Sequence, residues 1–190
     1  MKTNQESGFG HVHRELLVKG VKFDYERLTF TASDGRTTAR ECVRHPGAVI
    51  LLPVLDTPEG ARIILIRNWR LSLEHCLFEL PAGTLAKGED PAACASRELE
   101  EETGYRAANL RPLCRFHTSP GLSDELMHAF VADDLRHVGQ RLEADERITV
   151  HPTPIPECLR MVRSGEITDA KTMLTILWAW QAGIITPPCP

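Results

Sequence analysis

Residues 83–105 read GTLAKGEDPAACASRELEEETGY, and the spacing of their glycines, acids and single arginine is the most informative pattern in the chain. Asp90 and Pro91 open a helix: an aspartate at the N-cap accepts a free backbone N–H, and proline at the first helical position gives up no hydrogen bond. Gly104 closes that helix as its C-terminal cap. Between these ends Glu98, Glu101 and Glu102 lie three and four residues apart, so their carboxylates share one face while Glu100 points elsewhere.

Such a cluster is unfavourable twice over. Like charges at these spacings repel, and anions near a helix C-terminus meet the negative end of its dipole. A bound cation removes both penalties, and hard oxygen ligands point to magnesium, with manganese the alternative. One or two helical carboxylates, completed by water and a substrate phosphate, is the usual magnesium arrangement. The competing reading of any Glu-rich helix end is a solvated surface.

The full pattern is Gly83-x5-Glu89-x7-Arg97-Glu98-Leu99-x-Glu101-Glu102-x-Gly104-Tyr105. It resembles the Nudix box, the signature loop-helix-loop of the Nudix hydrolases. Every fixed polar and glycine position is filled, and Tyr105 replaces an aliphatic residue at a packing position. The resemblance implies a Nudix α/β/α sandwich with a mixed central sheet. It also implies hydrolysis of a nucleoside diphosphate linked to another moiety, by a metal-activated water attacking phosphorus. In that pattern Glu98 and Glu102 are metal ligands, Glu101 is a ligand or a neighbouring catalytic acid, and the backbone carbonyl of Ala82 is a further ligand. Gly83, Glu89, Arg97 and Gly104 take structural roles, holding loop and helix together.

The flanks are similar to those of the ADP-ribose pyrophosphatase subfamily. They comprise the strand Ile64-Leu65-Ile66-Arg67-Asn68-Trp69-Arg70, the lead-in Glu79-Leu80-Pro81-Ala82-Gly83, and the loop Ser119-Pro120-Gly121-Leu122-Ser123-Asp124-Glu125. The implied substrate is ADP-ribose, or a related ADP-sugar, cleaved to AMP and ribose 5-phosphate. Asn68 and Trp69 stand where many members have Gln and Tyr, which keeps GDP-mannose or another nucleoside diphosphate sugar as the alternative. A non-catalytic Nudix ligand-binding module is the distant third reading, disfavoured by the intact acids. Arg70 is the expected phosphate contact, because a guanidinium offers paired donors and stays charged. Glu125 matches a position near the terminal ribose, and Trp69 is a candidate to stack on a base.

The resemblance also places a catalytic base and one more metal ligand in the acidic stretch Leu142-Glu143-Ala144-Asp145-Glu146-Arg147-Ile148. Glu146 matches the ligand. Ala144 occupies the usual position of the base, so that role passes to Glu143 or is filled otherwise.

At 190 residues and 42% hydrophobic composition, the chain is long enough to bury one core. No run of about eighteen apolar residues is present, so no membrane span is expected. The opening residues lack the apolar stretch of a secretory signal. Cysteines at 42, 76, 94, 114, 158 and 189 have no metal-site spacing, which suits reduced thiols in a cytoplasm. A net charge of −4 without a basic patch argues against nucleic-acid binding.

Strands are expected over residues 16–24, 27–32 and 37–43, with a hairpin at Ser33-Asp34-Gly35-Arg36. This small N-terminal antiparallel unit, residues 1–45, is too slight to be stable alone. A homodimer follows from the resemblance, since such strands exchange with or pack on a second subunit and both subunits line the substrate. Arg40 and Arg44 are the candidates to reach the nucleotide from there. The hydrolase domain is assigned to 46–183, with sheet strands at 48–55, 62–67, 110–117 and 126–131 and helices at 157–163 and 170–182. Met173, Leu174, Leu177 and Trp180 are expected to pack the last helix on the sheet. Residues 184–190 are assigned to a flexible tail.

Overall fold

The computed structural model describes residues 11–144 and 146–186. Near the N-terminus, β1 (His13–Val18), β2 (Asp24–Thr31) and β3 (Thr37–Arg44) form an antiparallel sheet in that order. Gly35, at φ 82°, turns β2 into β3, and the Asp34 carboxylate accepts the Arg36 N–H at 3.0 Å. The expected single strand over 16–24 is broken instead. Lys19 and the Gly20 N–H both bind the Asp24 carboxylate, at 2.7 and 3.3 Å, and fold residues 19–23 into the β1–β2 connection. This sheet, continued to Gly47, forms one compact unit with the segment His117–Leu126. Within it the Val43 N–H binds the Leu122 carbonyl at 2.9 Å.

The second unit is built on β4 (Ala48–Leu55), which runs parallel to β9 (Leu126–His137) and antiparallel to the short β7 (Ala82–Thr84). At its far end β4 meets β5 (Arg62–Arg70), which is flanked by β6 (His75–Glu79) and β10 (Ile148–Pro154). With β8 (Tyr105–His117) beside β9, the sheet order is β10-β5-β4-β9-β8.

β4 reads as a continuous apolar run because both its faces are covered. Ile50 and Leu52 pack with α2 (Ile155–Ser164) and α3 (Ala170–Gln181), while Val49 and Leu51 pack with Cys94 and Ala95 of α1 (Pro91–Glu98). The result is the expected α/β/α sandwich with a mixed sheet. Strands β8 and β9 are longer than the sequence suggested, starting at Tyr105 and ending at His137. Their outer halves carry polar residues, which mask the strand signal.

α3 buries a different face from the one its bulky residues marked. Thr172, Thr175, Ile176 and Ala179 point inward, whereas Leu174, Leu177 and Trp180 are 37%, 37% and 44% exposed. Only Met173 of the expected set packs on the core. Small residues let the helix approach closely, and the Thr175 hydroxyl is satisfied by the Lys171 carbonyl at 2.8 Å. Nor does packing stop at residue 183. Ile184 and Ile185 donate their N–H groups to the Ala179 carbonyl, and Ile185 is buried in the core. The last four residues lie outside the described chain. No helix among the described residues is long and apolar enough to cross a membrane.

Candidate active site on the carboxylate helix

α1 starts as its sequence dictates, with the Asp90 carboxylate accepting the N–H groups of Ala92 and Ala93 at 3.0 and 3.1 Å. Its end departs from the expected regular α-helix. From Leu99 to Thr103 the chain winds as one π-helical turn, closed by Gly104 at φ 72°. Glu98 and Glu102, on either side of this change, are 9% and 4% exposed.

Glu102 accepts the Ala82 N–H at 2.8 Å, so the residue proposed to offer a carbonyl also positions a carboxylate. Glu98 lies against Gly83, where a Cβ would stand 1.9 Å from the Glu98 carboxyl carbon. Arg97 binds the remaining acids. Its Nη1 lies 2.7 Å from Glu98 and 2.9 Å from Glu101, and its Nε is 3.2 Å from Glu89. Glu89 in turn accepts the Ala86 N–H at 2.8 Å, so one guanidinium ties loop to helix.

Burial is the main electrostatic fact here. It raises the pKa of Glu98 against the opposing pull of Arg97. It pushes Glu102 up to about 8, opposed by the Ala82 N–H and reinforced by the charges of Glu98 and Glu146. Glu146 therefore acts on both helix acids. Among the described residues no three His, Cys, Asp or Glu side chains stand ready-grouped around one point. A magnesium site needs fewer, since one or two carboxylates suffice when water and phosphate complete the shell. Two mutually repelling, desolvated carboxylates beside a cradle that a Cβ would fill fit a divalent cation.

Arg70 is held differently from its expected role. Its guanidinium forms a two-pronged pair with the fully buried Glu79, with Nε–Oε1 at 2.6 Å, and its side chain remains 39% exposed. Lys171 binds the same carboxylate at 2.8 Å and also Asp169, the N-cap of α3. The Glu79 pair raises the pKa of Arg70, and the field of Glu102 also reaches it. Asn68 is buried and Trp69 is 46% exposed. In the acidic loop the Glu143 N–H binds the Glu146 carboxylate at 2.8 Å, and the Glu146 N–H returns to the Glu143 carbonyl at 3.1 Å.

The remaining three candidates, Arg40, Arg44 and Glu125, belong to the N-terminal unit. Arg40 is exposed and, among the described residues, donates to the neighbouring Ala39 carbonyl at 2.9 Å. Arg44 pairs with Glu26 and Asp124. Glu125 is buttressed from two sides, by the Thr118 hydroxyl and by His45 Nε2 at 3.3 Å. His45 Nδ1 accepts the Gly47 N–H at 3.0 Å, which turns Nε2 toward the Glu125 carboxylate. The imidazole stacks on Phe23 with ring centroids 4.5 Å apart.

The structure brings Ala82, Gly83, Glu89, Arg97, Glu98, Glu101, Glu102 and Gly104 together around one helix. Sequence reasoning missed Glu79, Lys171 and His45 as partners of its candidates. Glu79 was visible inside the Glu-Leu-Pro-Ala-Gly lead-in, but Lys171 lies 92 residues further on, with no local signal linking the two.

Comparison with known proteins gives the family. Residues 44–163 match the NUDIX domain. A Bacillus subtilis protein described as an ADP-ribose pyrophosphatase is 40% identical over 167 residues, covering 87% of this chain and 89% of that one. A Citrobacter koseri protein described as a GDP-mannose pyrophosphatase is 34% identical over 181 residues, covering 90% and 91%. The solved structure of an ADP compounds hydrolase superposes with a TM-score of 0.79 at 22% identity, covering 92% of this chain and 95% of that one. With its box complete and its domain matched over most of its length, the chain belongs to the Nudix family of hydrolases.

Proposed function

We propose that this protein hydrolyses the pyrophosphate bond of ADP-ribose, or a related ADP-sugar, to AMP and ribose 5-phosphate with Mg2+, Mn2+ being able to substitute. The observation that carries the reading is the pair Glu98 and Glu102, two desolvated carboxylates on one helix whose ionised forms a bound cation would stabilise. The 40% identity to the Bacillus pyrophosphatase supports the substrate. A divalent cation held there supplies charge stabilisation to the phosphate oxygens.

The protein's own groups do the rest. Glu98, Glu102 and Glu146, with the Ala82 carbonyl, hold the cation, and Arg97 keeps Glu98 and Glu101 in place. Arg70, oriented by Glu79, offers its outer N–H groups to phosphate. Glu143 accepts the proton of the attacking water, with Glu101 as the nearby alternative. Trp69, Arg40 and Glu125 contact nucleoside and ribose. Replacing Glu143 and Glu146 separately by Gln tests the loop assignment, and unchanged turnover in both variants removes the loop from the mechanism.

GDP-mannose is the second reading, supported by the Citrobacter relative. A panel of nucleoside diphosphate sugars assayed with Mg2+, with products identified, separates the two. AMP and ribose 5-phosphate as preferred products support the first, and equal or faster turnover of guanine sugars overturns it. We further infer a cytoplasmic homodimer in which residues 1–45 serve dimerisation and substrate contact and 46–183 carry the chemistry. Unpaired thiols at Cys42, Cys76, Cys94, Cys114 and Cys158 support the compartment, and exposed Leu16, Val18 and Val21 support the interface. Light scattering that returns a monomer mass overturns the dimer.

A further inference from the structure

The carbonyl groups at the end of an α-helix have no partners within it and must be satisfied from outside. Here one short segment, residues 138–141, supplies several of them. The Arg141 N–H donates to the Glu101 carbonyl at 3.0 Å, and the Gln140 side-chain amide donates to the Glu102 carbonyl at 2.6 Å. The N–H groups of Val138 and Gly139 both reach the Gly104 carbonyl, at 2.7 and 3.2 Å. The Arg141 guanidinium also pairs with Glu100, which Arg106 holds from its other side at 2.8 Å.

The approach is as close as backbones allow. A Cβ on Gly104 would stand 2.7 Å from the Gln140 nitrogen and 2.9 Å from the Gly139 carbonyl carbon. Gly104 is therefore required both for its left-handed φ and for the strand end laid across it. The same segment leads directly into the acidic loop, with Glu143 two residues beyond Arg141 and Glu146 five.

We infer that residues 138–141 are a clamp that sets the acidic loop in register with the carboxylate helix, and that Gln140 is its positioning residue. Gln140 holds the main chain of Glu102 from the segment that begins the loop, so losing its amide loosens both sides of the cation site. The turnover arm of this inference rests on the hydrolase reading above, whereas its metal-binding arm does not.

Gln140 is itself exposed, so replacing it disturbs no core packing. Gln140→Met keeps the length of the side chain and removes the donor, while Gln140→Lys keeps a donor. For wild type and both variants, Mn2+ binding is measured by the loss of the free-ion EPR signal, kcat and KM with ADP-ribose and Mg2+, and Tm by calorimetry. Gln140→Met is expected to bind Mn2+ several-fold more weakly and to lose on the order of 10-fold in kcat, the scale of a small misplacement of reacting groups. Its KM should change little, its Tm should stay within about 5 °C of wild type, and Gln140→Lys should recover most of both losses. Mn2+ affinity and kcat within twofold of wild type in Gln140→Met overturn the clamp while leaving the hydrolase reading intact. A wild type that binds Mn2+ but turns over none of the sugars overturns the hydrolase reading, and the Mn2+ comparison still decides the clamp. A wild type that binds no Mn2+ overturns both.

Discussion

Gly83 leaves room for the Glu98 carboxylate, since a Cβ at position 83 would stand 1.9 Å from its carboxyl carbon. Gly83→Ala should push that carboxylate out of its cradle. Because the end of the Glu98 side chain can swing aside, the cost to stability should be about 1 kcal/mol. The larger effect should be on function, with loss of Mn2+ binding and at least ~100-fold in kcat. Calorimetry and EPR on the same sample separate the two, and a variant with normal Mn2+ affinity would show that Glu98 is not a ligand.

Glu102→Gln should keep the fold and lose at least ~100-fold in turnover, the scale of removing a principal charge-stabilising group. It should also change the pH dependence of the metal-free protein. With its folded-state pKa raised to about 8, Glu102 favours the native state fully below its unfolded value, and that contribution disappears as pH climbs through about 8. Wild type in EDTA should therefore lose Tm between about pH 5 and pH 9. Mg2+ should restore it, and Glu102→Gln should show a flatter profile with no response to Mg2+.

Glu79 shows the opposite sign. Burial alone would raise its pKa, but Arg70 and Lys171 outweigh that and lower it. Its contribution is present above the unfolded value and is lost as pH falls through the lowered folded value, so it appears as resistance to acid below about pH 4.5. Glu79→Gln leaves Lys171 with Asp169 alone and the half-exposed Arg70 without its carboxylate, and should destabilise by about 1–3 kcal/mol. Acid titration followed by circular dichroism should show that this variant has lost the component wild type displays, whereas an unchanged acid transition would refute the network.

His45→Phe retains the stacking surface against Phe23 and removes the ring nitrogen that stands 3.3 Å from Glu125. If Glu125 binds the terminal ribose, KM for ADP-ribose should rise about 5- to 10-fold with kcat little changed, the scale of losing one polar contact that orients the carboxylate. His45→Gln, which keeps a donor, should recover most of that rise. Equal KM in all three proteins would detach His45 from recognition.

How much of this was readable beforehand depends on the distance over which each interaction acts. The carboxylate helix was legible because capping by Asp90, the turn at Gly104 and the spacing of Glu98 and Glu102 are all local. The π-turn was not, since the same residues satisfy an α-helical pattern and the groups that meet its end, at residues 138–141, lie far along the chain. α3 misled because apolar bulk at Leu174, Leu177 and Trp180 resembles a core face, while the face that packs is made of threonines whose hydroxyls bond to neighbours. Arg70 was expected at the phosphates, but its buried partner Glu79 cannot be recognised from spacing. The burial of Glu79 is offset by Arg70 and Lys171, and the second of these only tertiary structure supplies.

The hydroxyl of Thr172 donates to Asp169 at 2.6 Å and accepts the Leu80 N–H at 2.8 Å, so the first turn of α3 fixes the corner from which Ala82 reaches Glu102. The consequence is one of timing. During synthesis the carboxylate helix leaves the ribosome well before α3 does, and the corner at residues 79–82 cannot settle until Asp169, Lys171 and Thr172 arrive. A nascent chain stalled short of residue 170 should therefore carry the whole Nudix box and still be unable to hold a metal.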